Sequence, residues 1–111
     1  GLITYSNESK IKTLNVSKKK IFKYGAVSKE VCLDMLKNVA KIGQTTLALS
    51  VTGVAGPSGG TLIKPVGLVY IGVKKNNKFL VKKFIFKNKG RLYIQKKTVA
   101  KSLNLILDIL K

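Results

Sequence analysis

Histidine is absent from the 111 residues, and its absence excludes the commonest catalytic arrangements. Ser-His-Asp and Cys-His systems need an imidazole as general base, and a His-containing zinc site needs one as a ligand. Proton transfer within this chain must therefore fall to lysine, tyrosine or a carboxylate. The carboxylates number only four: Glu8, Glu30, Asp34 and Asp108.

Cysteine and long apolar runs are also scarce. The single cysteine, Cys32, cannot form an internal disulfide, which agrees with a reducing compartment. It lies beside the apolar stripe of a predicted helix, so we interpret it as a core residue. There is no run of about 18 apolar residues and no charged-then-apolar leader, so we expect neither a membrane span nor a signal peptide and predict a cytoplasmic protein.

Acidic residues and arginine are few beside the lysines. Lys and Arg total 22 against four acids, the net charge is +18, and Arg91 is the only arginine. Such a charge attracts nucleic acid or anionic lipid at low salt. Because the lysines are spread through every segment and base-specific readers rely on the arginine fork, we favour diffuse surface charge over an evolved nucleic-acid site. Non-specific affinity for nucleic acid remains an open alternative, and we expect no membrane partner.

The length and the 45% hydrophobic content predict a single domain spanning residues 1–111. The apolar segment 46–54 is expected to be a strand covered on both faces, and the very apolar helix 91–110 is expected to be well buried. Asn76 and Asn77 predict a tight hairpin. Alternating helices and strands with one hairpin predict an α/β fold with a mixed sheet. The patterns place strands at 1–5, 46–54, 67–74 and 78–86, and helices at 7–14, 17–24, 29–42 and 91–110.

A first candidate site is the segment Tyr5–Lys10 (YSNESK), where a predicted strand ends and a helix begins. Ligands commonly bind at the carboxyl ends of strands in open α/β sheets. A lysine that is partly desolvated there loses its proton more easily and could act as a base. The alternative, which spacing alone favours, is a capped helix start with a solvated lysine.

A second candidate site is the glycine-rich segment 51–61 (VTGVAGPSGGT), again at the end of a strand. Glycines let main-chain amides approach an anion closely, so the segment could form a phosphate or oxyanion nest. It is not a P-loop, because no Gly-Lys-Ser/Thr follows, and no helix follows as a dinucleotide fingerprint requires. A flexible loop without a ligand is an equally open interpretation.

Four motifs, in order, resemble those of the CinA C-terminal domain family, whose members are nicotinamide-nucleotide amidases. Tyr5–Lys10 (YSNESK) is similar to its YSNEAK motif, and Thr52–Pro57 (TGVAGP) to its TGIAGP motif; Tyr24–Ser28 (YGAVS) and Lys64–Tyr70 (KPVGLVY) also match. The resemblance covers essentially the whole chain. It implies a three-layer α/β/α domain with a mixed sheet, and hydrolysis of nicotinamide mononucleotide to nicotinate mononucleotide and ammonia, a step of pyridine nucleotide salvage that needs no cofactor or metal.

The resemblance also implies a role for individual residues in a Ser-Lys mechanism. Lys10 would be the general base, with Tyr5 and Thr52 assisting in proton relay and positioning. Residues implied to bind the substrate are Gly53, Gly56, Gly59, Gly60 and Arg91.

One departure from the family pattern concerns the nucleophile. The family serine lies in an SCTGG motif that does not occur in these 111 residues. We therefore expect an N-terminal truncation that removes the first strand and helix of the domain, and an inactive fragment. The exposed sheet edge predicts poor solubility or association into a homo-oligomer. The alternative is an inactive nucleotide-binding or oligomerisation remnant of the same family.

Overall fold

The computed structural model describes all 111 residues and contains four helices and three strands. They follow the order α1 (Asn7–Leu14), α2 (Lys18–Tyr24), α3 (Lys29–Gly43), β1 (Leu47–Gly53), β2 (Leu68–Lys75), β3 (Lys78–Ile85) and α4 (Arg91–Leu110). Every helix predicted from the sequence is confirmed to within one residue at each end.

Serine side chains explain where the first three helices begin. Ser6 and Ser9 form a capping box at the start of α1, and Ser17 caps α2. Ser28 accepts a hydrogen bond from the Val31 N–H at 3.2 Å and so caps α3. Each cap satisfies a main-chain donor that the first turn of a helix leaves without a partner.

The three strands form one sheet in the order β1-β2-β3, and both pairings are antiparallel. The predicted hairpin at Asn76 and Asn77 is confirmed, with Asn76 in the left-handed conformation at φ +54°. Since β1 also joins β2 through a loop instead of a crossover helix, no parallel pair occurs among these strands. The α/β class is confirmed, while the mixed pairing that the resemblance implies is not present within this sheet.

Helices cover the sheet on both faces and give three layers. On one face, the β2 residues Val69, Ile71 and Val73 form a buried cluster with Ile94, Leu105 and Ile109 of α4. On the other face, α3 approaches so closely that a Cβ added at Gly72 would lie 2.7 Å from Ser50 Oγ and 3.2 Å from Leu36 Cδ2. The buried Cys32 packs on this side, as the sequence predicted.

Two sequence expectations about the start of the chain and β1 are wrong. Residues 1–5 are not a strand, because no neighbouring strand pairs with their main chain. The β1 strand is covered on one face only. Ser50 and Thr52 are buried towards α3, whereas Leu47, Leu49 and Val51 are each more than one third exposed on the face that α4 shares.

The expectation that α4 is well buried is also wrong. Its buried stripe contains Ile94, Leu105 and Ile109, while Val99 and Leu103 are more than half exposed. The helix packs on β2, so its flank on the β1 side has no strand or helix to cover it. None of the four helices combines the length and apolarity needed to cross a membrane.

We predict that Ile71→Ala lowers the free energy of unfolding by about 2 to 5 kcal/mol, because Ile71 is fully buried at the centre of the β2–α4 cluster. Urea titration monitored by circular dichroism would measure the loss. The control Leu107→Ala removes an exposed side chain from α4 and should change stability by less than about 0.5 kcal/mol. Equal effects of the two substitutions would contradict the described core.

Candidate functional site

An open cleft of about 830 Å³ lies beside the carboxyl end of β1 and brings the two sequence-predicted clusters together. Its lining includes seven of the eight predicted site residues: Tyr5, Lys10, Thr52, Gly53, Gly56, Gly59 and Arg91. Gly60 is not part of the lining. Residues distant in sequence meet here because α1, the end of β1 and the start of α4 converge at one edge of the sheet.

Lys10 is the buried cation of the cleft. Its side chain is almost fully enclosed, at 7% exposure, and Nζ donates a hydrogen bond to the Thr4 carbonyl oxygen at 2.7 Å. Burial lowers the pKa of Lys10 below its ordinary value because desolvation penalises the charged amine. The solvated-lysine alternative is therefore wrong, and a partly desolvated amine that deprotonates more readily stands in the cleft.

Tyr5 occupies the mouth of the cleft without contacting the lysine through a hydrogen bond. Its side chain is 90% exposed, and its hydroxyl has no hydrogen-bond partner within the protein. The proton relay between Tyr5 and Lys10 that the resemblance implies is thus not formed in this structure. The neighbouring motif residues Ser6 and Ser9 serve as the helix cap instead.

Thr52 links the TGVAGP motif to the YGAVS motif through a hydrogen bond. Its hydroxyl donates to the Ala26 carbonyl oxygen at 2.8 Å and is buried. Ala26 belongs to the segment that joins α2 to α3, so Thr52 fixes this segment against β1. The hydroxyl proton is committed to the main chain, which leaves only the oxygen lone pairs for a ligand.

The glycine-rich loop after β1 presents main-chain donors without partners inside the protein. The N–H groups of Ala55, Gly56, Ser58, Gly59 and Gly60 make no hydrogen bond to protein atoms. Gly56 and Gly59 have φ values of +79° and +90°, a region that favours glycine. Successive free amides in such a turn are the arrangement that accepts an anion.

Arg91 holds this loop from the other side. Its Nη1 donates to the Gly56 carbonyl oxygen at 3.0 Å, across 35 residues of sequence. At least one donor of the guanidinium is therefore used to position the loop. The sequence interpretation of Arg91 as a substrate-binding residue did not foresee this contact.

Lys64 is a positioning residue that the sequence did not single out. Its ammonium group donates a hydrogen bond to the Tyr24 carbonyl oxygen at the end of α2. Its main-chain N–H donates to Thr61 Oγ1 at 2.9 Å, and this bond closes the turn in which Lys64 lies. A cation suits the carbonyl-rich end of a helix. Its place in the KPVGLVY motif was the available signal, but nothing in the sequence showed which carbonyl it would reach.

The cleft carries positive charge and no carboxylate. Lys10 and Arg91 line it, and no aspartate or glutamate does. Two of the acids are engaged elsewhere, Glu8 with Lys12 at 2.7 Å and Asp34 with Lys20 at 2.6 Å. The cleft is thus suited electrostatically to an anionic ligand.

Neither a thiol nor a metal cluster contributes to the cleft. Cys32 lies in the core with its Sγ 3.2 Å from Ser50 Oγ, and burial raises the pKa of the thiol to about 11. No group of three or more His, Cys, Asp or Glu side chains is placed to hold a metal ion. The polar chemistry of the cleft therefore rests on an amine, a guanidinium, hydroxyls and main-chain amides.

Comparison with known sequences gives one consistent family. The sequence model of the CinA C-terminal domain matches residues 1–110. A Clostridium botulinum (strain Langeland) protein with the provisional name competence-damage inducible protein is 50% identical over 111 residues, 100% of this chain and 27% of that protein. A CinA-like protein of Kosmotoga olearia is 53% identical over 83 residues, 75% of this chain and 20% of that protein. The chain thus spans about a quarter of the length of these curated relatives.

Solved structures give the same fold. The competence/damage inducible protein CihA of Agrobacterium tumefaciens superposes with a TM-score of 0.97 and 33% identity, over 100% of this chain and 68% of that one. A competence-damaged protein superfamily member from Enterobacter cloacae superposes with a TM-score of 0.94 and 25% identity, over 100% of this chain and 65% of that one.

We predict that Arg91→Gln speeds hydrogen exchange of the Val54, Thr61 and Gly67 amides, whose main-chain hydrogen bonds close the glycine-rich loop, by about fivefold, because the bond to Gly56 contributes about 1 kcal/mol to holding the loop closed. Exchange followed by mass spectrometry would measure it. The control Lys89→Gln, also near the start of α4, removes a cation without such a contact and should leave these amides unchanged. Unaltered exchange in Arg91→Gln would show that the arginine does not position the loop.

We also predict that Cys32 resists alkylation in the folded protein. With a thiol pKa of about 11, the thiolate fraction at about pH 8 is on the order of one in a thousand, and burial blocks the reagent as well. Iodoacetamide labelling with and without urea would show labelling only after unfolding. Rapid labelling of the native protein would place Cys32 outside the core.

Proposed function

The chain belongs to the CinA C-terminal domain family, and on that basis we propose that it supplies the general base and the anion-binding loop of an amidohydrolase. The proposed substrate is nicotinamide mononucleotide, and the products are nicotinate mononucleotide and ammonia. The proposed nucleophile is a serine outside these 111 residues. The observation that carries the proposal is the burial of Lys10 beside a loop of free amides, in a cleft that no carboxylate lines.

Lys10 supports this chemistry because a base must be neutral before it can accept a proton. Burial lowers the pKa of its amine, so a larger fraction is neutral near neutral pH than for a solvated lysine. A lysine base also accords with a chain that contains no histidine. The hydrogen bond to Thr4 fixes the direction in which the amine points.

The cleft supports a nucleotide ligand in size and in charge. Its volume of about 830 Å³ lies within the range of small-molecule sites, about 300 to 1,000 Å³. A nucleotide phosphate would meet a positive cleft that no carboxylate lines. The free amides of Gly56 and Gly59 are the proposed donors to the phosphate or to the oxyanion.

The proposed reaction proceeds in two balanced steps. Neutral Lys10 takes the proton of the serine hydroxyl while the oxygen attacks the carboxamide carbon. The carbon–nitrogen bond then breaks, and the proton held by Lys10 passes to the departing nitrogen, which leaves as ammonia. Lys10 then takes a proton from water, whose oxygen attacks the acyl carbon. The bond from that carbon to the serine oxygen breaks, the proton held by Lys10 passes to the serine oxygen, and the acid product leaves as its carboxylate.

A non-catalytic role in nucleotide binding or oligomerisation is the second candidate function. It is favoured by one observation, the exposed Tyr5, whose hydroxyl does not reach Lys10 and so leaves the relay unformed. The two candidates differ in turnover. A binding module retains affinity for the nucleotide but releases no ammonia.

We predict that Lys10→Arg in the full-length gene product lowers the rate of ammonia release from nicotinamide mononucleotide by about 10² to 10⁴-fold, because arginine keeps the charge but does not deprotonate. In the unsubstituted protein, activity should rise with pH through the pKa of Lys10, which burial lowers below the pKa of an ordinary lysine. Enzyme-coupled ammonia detection across a pH series would measure both effects.

Lys12→Arg is the matched control, since Lys12 lies on the same helix but is exposed and paired with Glu8. It should leave both the rate and the pH profile unchanged. Full activity in Lys10→Arg would refute the general-base role. Nucleotide binding without ammonia release by the unsubstituted protein would instead establish the binding module.

A further inference from the structure

We propose that the groove between β3 and α4 is a second binding site, remote from the cleft, that takes a single strand of nucleic acid. We call it the basic groove and define it by Lys82 and Phe84 of β3 and Lys97, Lys101 and Lys111 of α4. This site is independent of the proposed amidase chemistry.

The part of the chain that forms this groove is rich in basic residues and poor in acids. Residues 68–111 contain 12 of the 22 basic residues but a single acid, Asp108. Only three ion pairs form in the whole protein, and the one in this region, Lys111 with Asp108, is long at 3.9 Å and exposed. Asp108 is the one acid that lines the groove, beside Lys82, Lys101 and Lys111, so the groove keeps a net positive charge.

The fold places these lysines on both sides of the groove, Lys82 on β3 and the others on the α4 side. Lys82 is paired with Ile71 in the β-ladder, so it projects on the same face of the sheet as the α4 cluster. Lys97 and Lys101 are one helical turn apart on the flank of α4 that looks onto β3, and Lys101 lies 5.9 Å from the centre of the Phe84 ring. Lys82, Lys101 and Lys111 line a groove of about 610 Å³ together with Asp108, and Lys97 lies one helical turn from Lys101, outside this lining.

Phe84 lines the groove, and Phe86 and Tyr93, outside its lining, pack against the same buried cluster of β2 and α4. Phe84 and Phe86 stack with their centroids 5.6 Å apart, and both are only half-buried. The ring of Tyr93 has two lysine ammonium groups near it, Lys89 at 5.3 Å and Lys97 at 5.7 Å. Lysines for phosphates interleaved with rings for bases are the elements by which proteins bind single strands without sequence preference.

The shape of the site favours a nucleic acid over a membrane. A lipid surface is flat and would bind a protruding face of the protein, whereas Lys82 and Lys101 lie on opposite sides of a groove. The near absence of arginine matches phosphate contact without base-specific readout. We therefore expect little sequence preference and a steep dependence on salt.

The test is fluorescence anisotropy with a labelled thymidine oligonucleotide of about 20 nucleotides, titrated at several salt concentrations with the full chain. The variant K82Q/K97Q/K101Q should bind about tenfold more weakly or worse at about 50 mM salt. Its slope of log affinity against log salt should be shallower by about 2, since each lysine contact to a single strand contributes about 0.7.

The matched control K18Q/K19Q/K29Q removes the same number of charges from exposed lysines on α2 and α3 and should keep the slope of the unsubstituted chain. Circular dichroism would confirm that both variants are folded. An equal loss in both variants would show that net charge alone attracts the strand and would overturn the proposal. Binding to phosphatidylserine vesicles without binding to the oligonucleotide would overturn it in favour of a membrane face.

Discussion

The antiparallel pairing of β1 with β2 is the constraint on which the candidate site depends. Beyond the last rung of this ladder, the Val54 N–H donates to the Leu68 carbonyl oxygen at 2.9 Å and the Gly67 N–H donates to the Val54 carbonyl oxygen at 2.8 Å. These two bonds close the neck of the glycine-rich loop and fix where it leaves the sheet. Gly53 belongs to the same neck, because a Cβ there would lie 2.9 Å from the Leu68 carbonyl oxygen.

Hydroxyl and ammonium groups then hold the neighbouring segments against that neck. On the α3 side of β1, Ser50 Oγ donates to the Cys32 carbonyl oxygen at 2.9 Å and Thr52 Oγ1 donates to that of Ala26. Arg91 and Lys64 do the same for the glycine-rich loop and the end of α2. All four bonds end on main-chain carbonyl oxygens, so these side chains position the backbone around the cleft.

The sequence predicted the helices well because their signals are local. Ser6 and Ser28 caps and apolar spacing act within a few residues, and the hairpin at Asn76 needs only its own turn. The strand predicted at residues 1–5 and the two-sided burial of β1 failed, since both depend on partners distant in sequence or absent from this sheet. The candidate site, too, depends on contacts between residues that are distant in sequence. A motif singled out Lys10, and the family resemblance implied a role for Arg91, but only the fold shows that Arg91 reaches Gly56.

The burial that lowers the pKa of Lys10 also costs stability, and the sign of the effect on stability follows from the direction of the pKa shift. The unfolded chain exposes this amine, so it binds the proton more readily than the folded protein does. Below the folded-state pKa both states are protonated and the desolvation cost is fully present. As pH rises towards the ordinary lysine pKa of about 10.4, the unfolded state loses its proton as well and the cost disappears. A lysine buried for packing alone would gain nothing from this cost. Lys10 lies beside the free amides of the glycine-rich loop, in a cleft without carboxylates. We therefore interpret its unfavourable burial as a feature of the site.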